Sequence, residues 1–390
     1  MLWKFHNNTG EMAGSFAENE PVQISKQETK SMKKAVLAIA ALAACTSSAW
    51  AQSSVTLYGI VDAAARYYTN TDGASNLAPK QLVPGGMSQS RLGVNVTEDM
   101  GGGLKALVNM EHRLNSDTGT VAAADFWRQV WVGLQSNDFG QVRMGRQYNV
   151  LFDIYTSTYA SFRYSPYIEA FKPEIVMSAG ARQSNMVKYL GQVGDVYGEI
   201  QVSAGENTVS ADKSIGGLLR YNDGTWGAGG AYLQVTDIAG RKMKATTVGA
   251  SYTSGPLYAH VSWANNKFDA GTGVLQAGFT AGWGFGPQLT AAASSVSTRD
   301  MWMTGLTYQL TPQLNLGANY WHTTQAAAVG TGLPDSKADQ LAFVADYAFS
   351  KRTDAYFEAD NTRFSSGGAI RFSNGATSRT GVMVGLRHRF

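Results

Sequence analysis

The stretch Gly381-Val-Met-Val-Gly-Leu-Arg-His-Arg-Phe390 alternates in character from Val382 onward. In an extended strand, successive side chains point to opposite faces of the sheet. Every second residue from Val382 to Phe390 therefore lies on one largely apolar face. The intervening residues, which include Arg387 and Arg389, lie on the other face. One face thus suits an apolar medium, and the other suits water.

The same alternation appears at 55–66, near the start of the chain. Small or apolar residues take the odd positions there, whereas Asp62 and Arg66 lie among the even positions. A soluble sheet buries its apolar face in a core, but here the second face stays polar in strand after strand. The pattern predicts an all-β chain that forms a transmembrane antiparallel β-barrel, with lipid outside and water inside.

An export signal is expected upstream of this barrel. Lys33 and Lys34 precede an apolar run at 35–44, and Ala49-Trp-Ala51 supplies the small residues of a cleavage site. The sequence therefore predicts a signal peptide at 32–51.

This signal divides the chain into three parts. Residues 1–31 are polar and are expected to be an upstream extension that is not part of the protein, and residues 52–390 are expected to form the barrel. The single cysteine, Cys45, lies in Leu42-Ala-Ala-Cys45, which resembles a lipoprotein processing box, so its acylation stays an open alternative. An exported chain whose mature part lacks cysteine is not a disulfide scaffold.

The composition excludes two further classes. A formal net charge of +3 over 390 residues is not the balance of a nucleic-acid-binding protein. No stretch approaches the roughly 18 continuous apolar residues that a membrane-spanning helix needs. The 43 glycines and only 9 prolines suit many strands joined by tight turns.

Short turn sequences alternate with longer connections, which is the asymmetry of outer-membrane barrels. The short turns are predicted at Glu98–Gly103, Asn137–Gly140, Gly191–Asp195, Asn222–Gly224, Thr253–Pro256, Gly284–Pro287, Leu310–Gln313 and Phe349–Arg352. Eight such turns allow eighteen strands, and sixteen follow if the turn near 267–300 is over-counted. The longest connection covers 147–183, and long loops in a compact unit are usually functional.

Seven motifs in order resemble the general diffusion porins of Gram-negative outer membranes, specifically the beta-proteobacterial type. They are Ser53–Asp62, Ser90–Gly93, Glu98–Ala106, Arg128–Leu134, Phe139–Gln147, Tyr347–Thr353 and Val384–Phe390. The resemblance implies a homotrimer of sixteen-stranded barrels in the bacterial outer membrane. Each barrel would pass ions and small hydrophilic solutes by passive diffusion, with no cofactor and with the long third loop folded into the pore.

The resemblance also implies which charges narrow the pore. Arginines on the barrel wall would face acids on the third loop, and the matching wall positions are Arg91, Arg128 and Arg182. Strand parity favours Arg91 and Arg182 inside the barrel. Parity opposes Arg128, which only a bulge or a position at the rim would bring inside. The loop acids are Asp153, Glu169 and Glu174.

Specific roles are also expected for four further residues. Asp62, Arg66 and Arg143 are expected to be other charges of the barrel interior. Phe390 is expected to end the assembly signal that the barrel-insertion machinery recognises. Outer-membrane lipid and lipopolysaccharide are the expected surroundings, and no metal site or nucleic-acid partner is expected.

Three functions are alternatives to a general diffusion pore. A barrel enzyme is disfavoured because the four histidines after residue 52 lie in no nucleophile or metal motif. A soluble β-sandwich is disfavoured because it needs an apolar core. A substrate-specific channel stays open as the alternative to a general pore, and the sequence leaves the sign of ion selectivity open.

Overall fold

The computed structural model describes residues 53–69, 80–122, 126–159, 178, 180–205, 213–270, 296–327, 330, 332, 334–365 and 377–390. The expected signal peptide, the upstream extension and Cys45 lie outside the described residues. So do the predicted turn at Gly284–Pro287 and the loop acids Glu169 and Glu174.

Almost every described element is a strand. The strands are β1 (Ser54–Tyr68), β2 (Lys80–Val83), β3 (Arg91–Gly101), β4 (Leu104–Arg113), β5 (Trp127–Ser136), β6 (Gly140–Tyr148), β7 (Arg182–Val193), β8 (Val196–Ser203), β9 (Lys213–Asn222), β10 (Trp226–Thr236), β11 (Lys242–Ser254), β12 (Leu257–Phe268), β13 (Val296–Gln309), β14 (Leu314–Ala327), β15 (Ser336–Ala348), β16 (Thr353–Phe364) and β17 (Ser378–Arg389). Helix α1 (Val150–Ser157) lies between β6 and β7.

The strands form one closed antiparallel barrel. β1 pairs with β17 from Ile60↔Arg389 to Tyr68↔Gly381, which joins the two ends of the sheet. On its other edge β1 pairs with β3 and, further along, with the four-residue β2. The described residues therefore build sixteen long strands, with β2 as a short addition in the line of β3.

The strand number agrees with the expected sixteen and excludes eighteen. β12 pairs directly with β13, from Leu257↔Tyr308 to Lys267↔Thr298, so no strand lies between them. Seven predicted turns connect consecutive strands. In one of them Gly224 has a φ of 90°. There the amides of Trp226 and Thr225 donate to Asp223 and lower the pKa of this carboxyl.

The usual burial rule is inverted in this barrel. Large apolar side chains are exposed on its outer face, and many charged side chains are buried inside it. The exposed set includes Val248, Val261, Leu341, Phe357 and Val384. This distribution fits a wall that meets lipid outside. Within the described residues, no helix is long and apolar enough to cross a membrane.

Helix α1 starts the long connection between β6 and β7 and packs against the inner wall. Asn149 caps it, accepting a hydrogen bond from the Phe152 amide at 3.0 Å. The helix contributes buried apolar residues, including Val150 and Ile154, to a cluster that contains Leu218 and Leu233 of β9 and β10. The helix is thereby fixed within the barrel rather than at its rim.

Small wall residues make room for this inward segment. A Cβ added to Gly216 would lie 3.0 Å from Val150, and one added to Gly249 would lie 2.6 Å from the Tyr159 ring. Such distances are shorter than ordinary van der Waals contact. Glycine at 249 therefore leaves room for Tyr159, and glycine at 216 leaves room both for Val150 and for the nearer Tyr232 and Leu233 of β10.

Candidate functional site inside the barrel

Three arginines gather around one carboxylate on the inner wall, near the start of α1, and a fourth arginine lies beside them. Arg128 Nε lies 3.4 Å from Glu111, and Arg91 lies 4.0 Å from it. Arg182 is close enough to interact electrostatically with Glu111 and with Arg128. Arg113 stands directly opposite Arg91 in the β3–β4 register. We call Arg91, Arg113, Arg128, Arg182 and Glu111 the arginine cluster.

Polar groups orient Glu111 within this cluster. The Tyr58 hydroxyl donates to Glu111 at 3.1 Å, and Asn109 donates to the same hydroxyl at 2.9 Å. Arg91 is held by its own bond from Nε to the carbonyl of Gln89 at 3.0 Å. The carboxylate and one guanidinium are therefore fixed from more than one direction, which favours a stable orientation of the charges.

A β-bulge brings Arg128 inside despite its parity. The β4–β5 register shifts between Glu111↔Gln129 and His112↔Trp127, so Arg128 has no partner of its own in the ladder. A bulge inserts one residue and re-aims the side chains next to it. Arg128 is fully buried as a result, whereas Val132 and Leu134 further along the strand are exposed.

An irregularity also separates Arg182 from the rest of β7. The β6–β7 register shifts between Gly145↔Met186 and Gln147↔Gln183, and Asn185 there has a φ of 55°. The parity that links Arg182 to Lys188 therefore does not hold across this point. Arg182 reaches the cluster through its position at the start of the strand.

The ring of Tyr148 joins the arginine cluster to helix α1. Its ring stacks on Phe152 with a centroid distance of 3.8 Å and an interplanar angle of 7°. Arg182 lies 4.8 Å, and Arg128 5.5 Å, from the centroid of the same ring. Cations over an aromatic face are attracted by its quadrupole. The helix thus supports two arginines through one aromatic side chain.

A second group of charges ties α1 to the wall. Lys188 is almost fully buried, binds Asp153 of the helix and donates to Glu199 at 2.9 Å. Tyr197 donates to the other oxygen of Glu199 at 2.6 Å. At the helix start, the Val150 amide donates to Gln201 at 2.7 Å. The helix is held by ionic and neutral contacts at separate points.

The expected opposition of wall arginines and loop acids takes a different form here. Among the described residues, the carboxylate that pairs with the cluster is Glu111, which belongs to the wall, whereas the loop acid Asp153 pairs with Lys188. Asp153 faces Lys188 of β7 and Glu199 of β8 and also interacts electrostatically with Arg143, whereas Glu111 interacts with the arginines of the cluster. Glu169 and Glu174 lie outside the described residues.

The other expected interior charges have separate places. Arg143 stacks on the Trp131 ring, 4.4 Å from its centroid, and donates to Gln141 at 2.9 Å. Arg66 forms a buried ion pair with Asp360 at 3.0 Å. These side chains lie inside the barrel, but neither contributes to the arginine cluster.

Asp62 holds an inward turn against the wall. Its carboxylate accepts the amides of Gly86 at 3.2 Å and Ser88 at 2.7 Å, and the Tyr356 hydroxyl at 2.5 Å. Residues 84–90 are buried inside the barrel between β2 and β3. Arg387 donates to the Ser88 hydroxyl at 2.9 Å from the other side. The turn leads directly into Arg91 and so helps to position the cluster.

Phe390 closes the barrel from the outside. Its amide and carbonyl exchange hydrogen bonds with Gly59, each at 3.1 Å. The ring is partly exposed on the outer face of β1. The chain terminus therefore extends the β1–β17 ladder by one further pair.

Sequence reasoning missed Glu111, Arg113 and Tyr148. The signal for the first two was present, because Asn109, Glu111 and Arg113 alternate with Met110 and His112 along β4. Tyr148 had no comparable signal, since its role depends on the helix that follows it. Among the described residues, no group of three or more His, Cys, Asp or Glu side chains could hold a metal ion.

Comparisons with known proteins place this geometry in a family context. A family model described as Gram-negative porin matches residues 38–367. The chain is 29% identical to outer membrane porin protein 32 of Delftia acidovorans over 382 residues, which covers 92% of this chain and 100% of the relative. It is 28% identical to the major outer membrane protein P.IB of Neisseria lactamica over 373 residues, with coverage of 92% and 100%.

The fold is also similar to a solved structure described as an anion-selective porin from Comamonas acidovorans. The TM-score is 0.68 at 27% sequence identity, and the match covers 87% of this chain and 100% of that one. The Delftia relative and the Comamonas structure are both named as porins, and the Neisseria relative is named as an outer membrane protein, so the sequence match and the structural match point to one family.

Proposed function

This chain belongs to the Gram-negative porin family and lies in the outer membrane, and from this premise we propose that it is a general diffusion porin. Ions and small hydrophilic solutes pass passively through a water-filled barrel, without a cofactor and without catalysis. The protein assembles as a homotrimer, Phe390 completes the signal for barrel insertion, and residues 32–51 are removed on export.

The arginine cluster is the observation that carries the proposal. A pore has no reacting groups, so its chemistry consists of charge and cross-section. Three guanidinium groups surround one wall carboxylate beside a helix that occupies the interior, and Arg113 adds a fourth positive charge next to them. Guanidinium groups stay charged at every physiological pH. The cluster and α1 therefore form the charged constriction.

We further propose that this constriction prefers anions. The positive charges of the arginine cluster exceed the single negative charge of Glu111, and Asp153 pairs with Lys188 rather than with an arginine of the cluster. Glu169 and Glu174 would oppose this preference if they reached the cluster. The similarity to a porin described as anion-selective supports the same sign.

The test is a single-channel measurement in a planar lipid bilayer under a salt gradient. We expect openings in groups of three, a conductance that rises with salt concentration, and a reversal potential of the sign that anion flow produces. Folded, heat-modifiable protein that does not conduct would contradict the pore. Conductance with a cation-selective reversal potential would leave the pore intact and contradict the role given to the arginines.

A further inference from the structure

Four lysines occupy the outer face of one quarter of the barrel. Lys213 lies on β9, Lys242 and Lys244 lie on β11, and Lys267 lies on β12. All four are exposed, and all four share the face of outward residues such as Val248 and Val261. We call these four residues the lysine band.

The strand register places the band in two adjacent rows. Lys244 stands directly opposite Lys267 in the β11–β12 ladder. Lys213 stands opposite Thr236, which in turn stands opposite Lys242. Neighbouring strands lie about 4.8 Å apart and alternate residues about 7 Å apart, so the four ammonium groups can converge on a single anionic head group.

The repulsion between these lysine side chains is unfavourable unless a negatively charged group binds between them. Like charges directly opposite each other destabilise a strand pair. Asp237 is paired with Arg241 at 2.8 Å. Asp269 accepts the backbone amide of Lys242 at 2.8 Å and keeps its charge, which offsets only part of the charge of the four lysines. On the next strand, Asp300 accepts a bond from Asn265 at 2.9 Å. The outward side chains of β9 to β12 themselves include no carboxylate.

The position of the band along the strands identifies the medium that it meets. Continuing from the lysines along the outer face, β11 presents Thr246 and then Val248, while β12 presents Asn265 and then Trp263. An aromatic residue followed by apolar residues marks the edge of the hydrocarbon layer. On β11 and β12 the lysines therefore lie two or three outward-facing positions beyond that edge, at the depth of lipid head groups.

The band lies on the extracellular side. The short turns, including Asn222–Gly224 and Ser254–Leu257, join these strands at their other ends. In outer-membrane barrels the short turns face the periplasm and the long loops face the outside. The lysines thus meet the outer leaflet, whose lipopolysaccharide carries phosphate groups on its sugar head.

We propose that the lysine band is a binding site for the phosphate groups of lipopolysaccharide. The site holds the lipid against β9–β12 by charge at its head and by apolar contact below. It depends on the location in the outer membrane and not on conduction, so a protein that fails to conduct would leave it intact.

The experiment compares three refolded, lipopolysaccharide-free proteins in detergent: wild type, the variant with Lys244→Gln and Lys267→Gln, and a control with Lys351→Gln and Arg352→Gln. The control removes two positive charges from the turn at the opposite end of the barrel. Each protein is titrated with bisphosphorylated lipopolysaccharide, with its dephosphorylated form, and with inorganic phosphate. Binding is followed by the shift in thermal unfolding temperature, and the oligomeric state is followed by size exclusion.

We expect the band variant to bind the phosphorylated lipid roughly 30-fold more weakly than wild type, from the usual contribution of a lysine at an anionic lipid surface. The control should bind as wild type does. Equal binding by wild type and the band variant would overturn the proposal. So would equal binding of the dephosphorylated lipid, or a shift of equal size with inorganic phosphate alone. Dissociation of the oligomer in the band variant alone would assign the lysines to a contact between copies instead and would also overturn it.

Discussion

The ring of Phe390 covers the backbone of Gly59, so that a Cβ added to Gly59 would lie 2.3 Å from the Phe390 ring. The two residues also exchange both backbone hydrogen bonds at 3.1 Å. A strand glycine opposite an aromatic side chain allows the ring to lie flat on the sheet. The last residue therefore joins the first strand through ladder bonds and through ring contact.

This contact predicts that Gly59→Ala destabilises the closed barrel. The new methyl group would displace the ring, and overpacking of this kind typically costs about 1–3 kcal/mol. The free energy of unfolding, measured from tryptophan fluorescence in denaturant, should fall by that amount. Gly198→Ala is the control, because Gly198 also lies in a strand and its nearest neighbour would be 3.6 Å from the added Cβ. Equal stability of the two variants would contradict the proposed role of the ring.

The arginine cluster predicts a change of selectivity in Arg128→Gln. One charge at contact distance is worth about 1 kcal/mol in water, so the anion-to-cation permeability ratio should fall by about fivefold or less. The reversal potential under a salt gradient gives this ratio directly. Arg143→Gln is the matched control, because Arg143 is an interior arginine that stacks on Trp131 away from the cluster. A larger effect in the control would exclude Arg128 as the dominant charge.

The Tyr148 ring predicts a difference between two substitutions at one position. Tyr148→Ala removes the surface that supports Arg128 and Arg182, so it should lower anion preference and broaden the conductance levels. Tyr148→Phe keeps the ring and its stack on Phe152, so it should conduct as wild type does. Single-channel recordings of both variants test this. Loss of selectivity in the phenylalanine variant would assign the effect to the hydroxyl instead.

The barrel class was predictable from the sequence because the alternation of Val382–Phe390 and of 55–66 has a direct physical meaning. The strand number was not fixed by turn composition alone. A glycine-rich segment at 284–287 resembles a turn, and only the pairing of β12 with β13 excludes two further strands. The residues of a turn do not determine which distant strands pair with each other.

The interior was less predictable, because it departs from simple parity. Arg128 lies inside through a bulge whose partner is on another strand, and no local residue marks it. The inner face of β10 carries Ala231, Leu233 and Val235, which parity alone would assign to lipid. These residues are apolar because α1 covers them, and the helix belongs to a segment distant in sequence. Which wall residues face lipid and which face the interior can therefore be decided only when the position of the inward helix is known.

The inward turn at 84–90 predicts that Asp62→Asn widens the interior. Asp62 offers two acceptor oxygens to the amides of Gly86 and Ser88, whereas asparagine has one acceptor and places an NH2 group against a donor. The turn should detach, and single-channel conductance should rise. Asp300→Asn, on the outer face of β13, is the control and should leave conductance unchanged. Unchanged conductance in both would mean that the turn does not narrow the pore.

The anchor at Lys188 predicts the largest change in stability. Lys188 binds Asp153 and Glu199 at once, so Lys188→Met would leave two carboxylates facing each other inside the barrel. Removing one member of a buried ionic group typically costs about 3–5 kcal/mol, because the remaining charge stays buried without compensation. The triple variant with Lys188→Met, Asp153→Asn and Glu199→Gln removes all three charges and should recover most of that loss. Denaturant unfolding measures both, and channel noise reports whether α1 has loosened. A triple variant no more stable than Lys188→Met would show that apolar contacts with Leu218 and Leu233, and not charge balance, hold the helix.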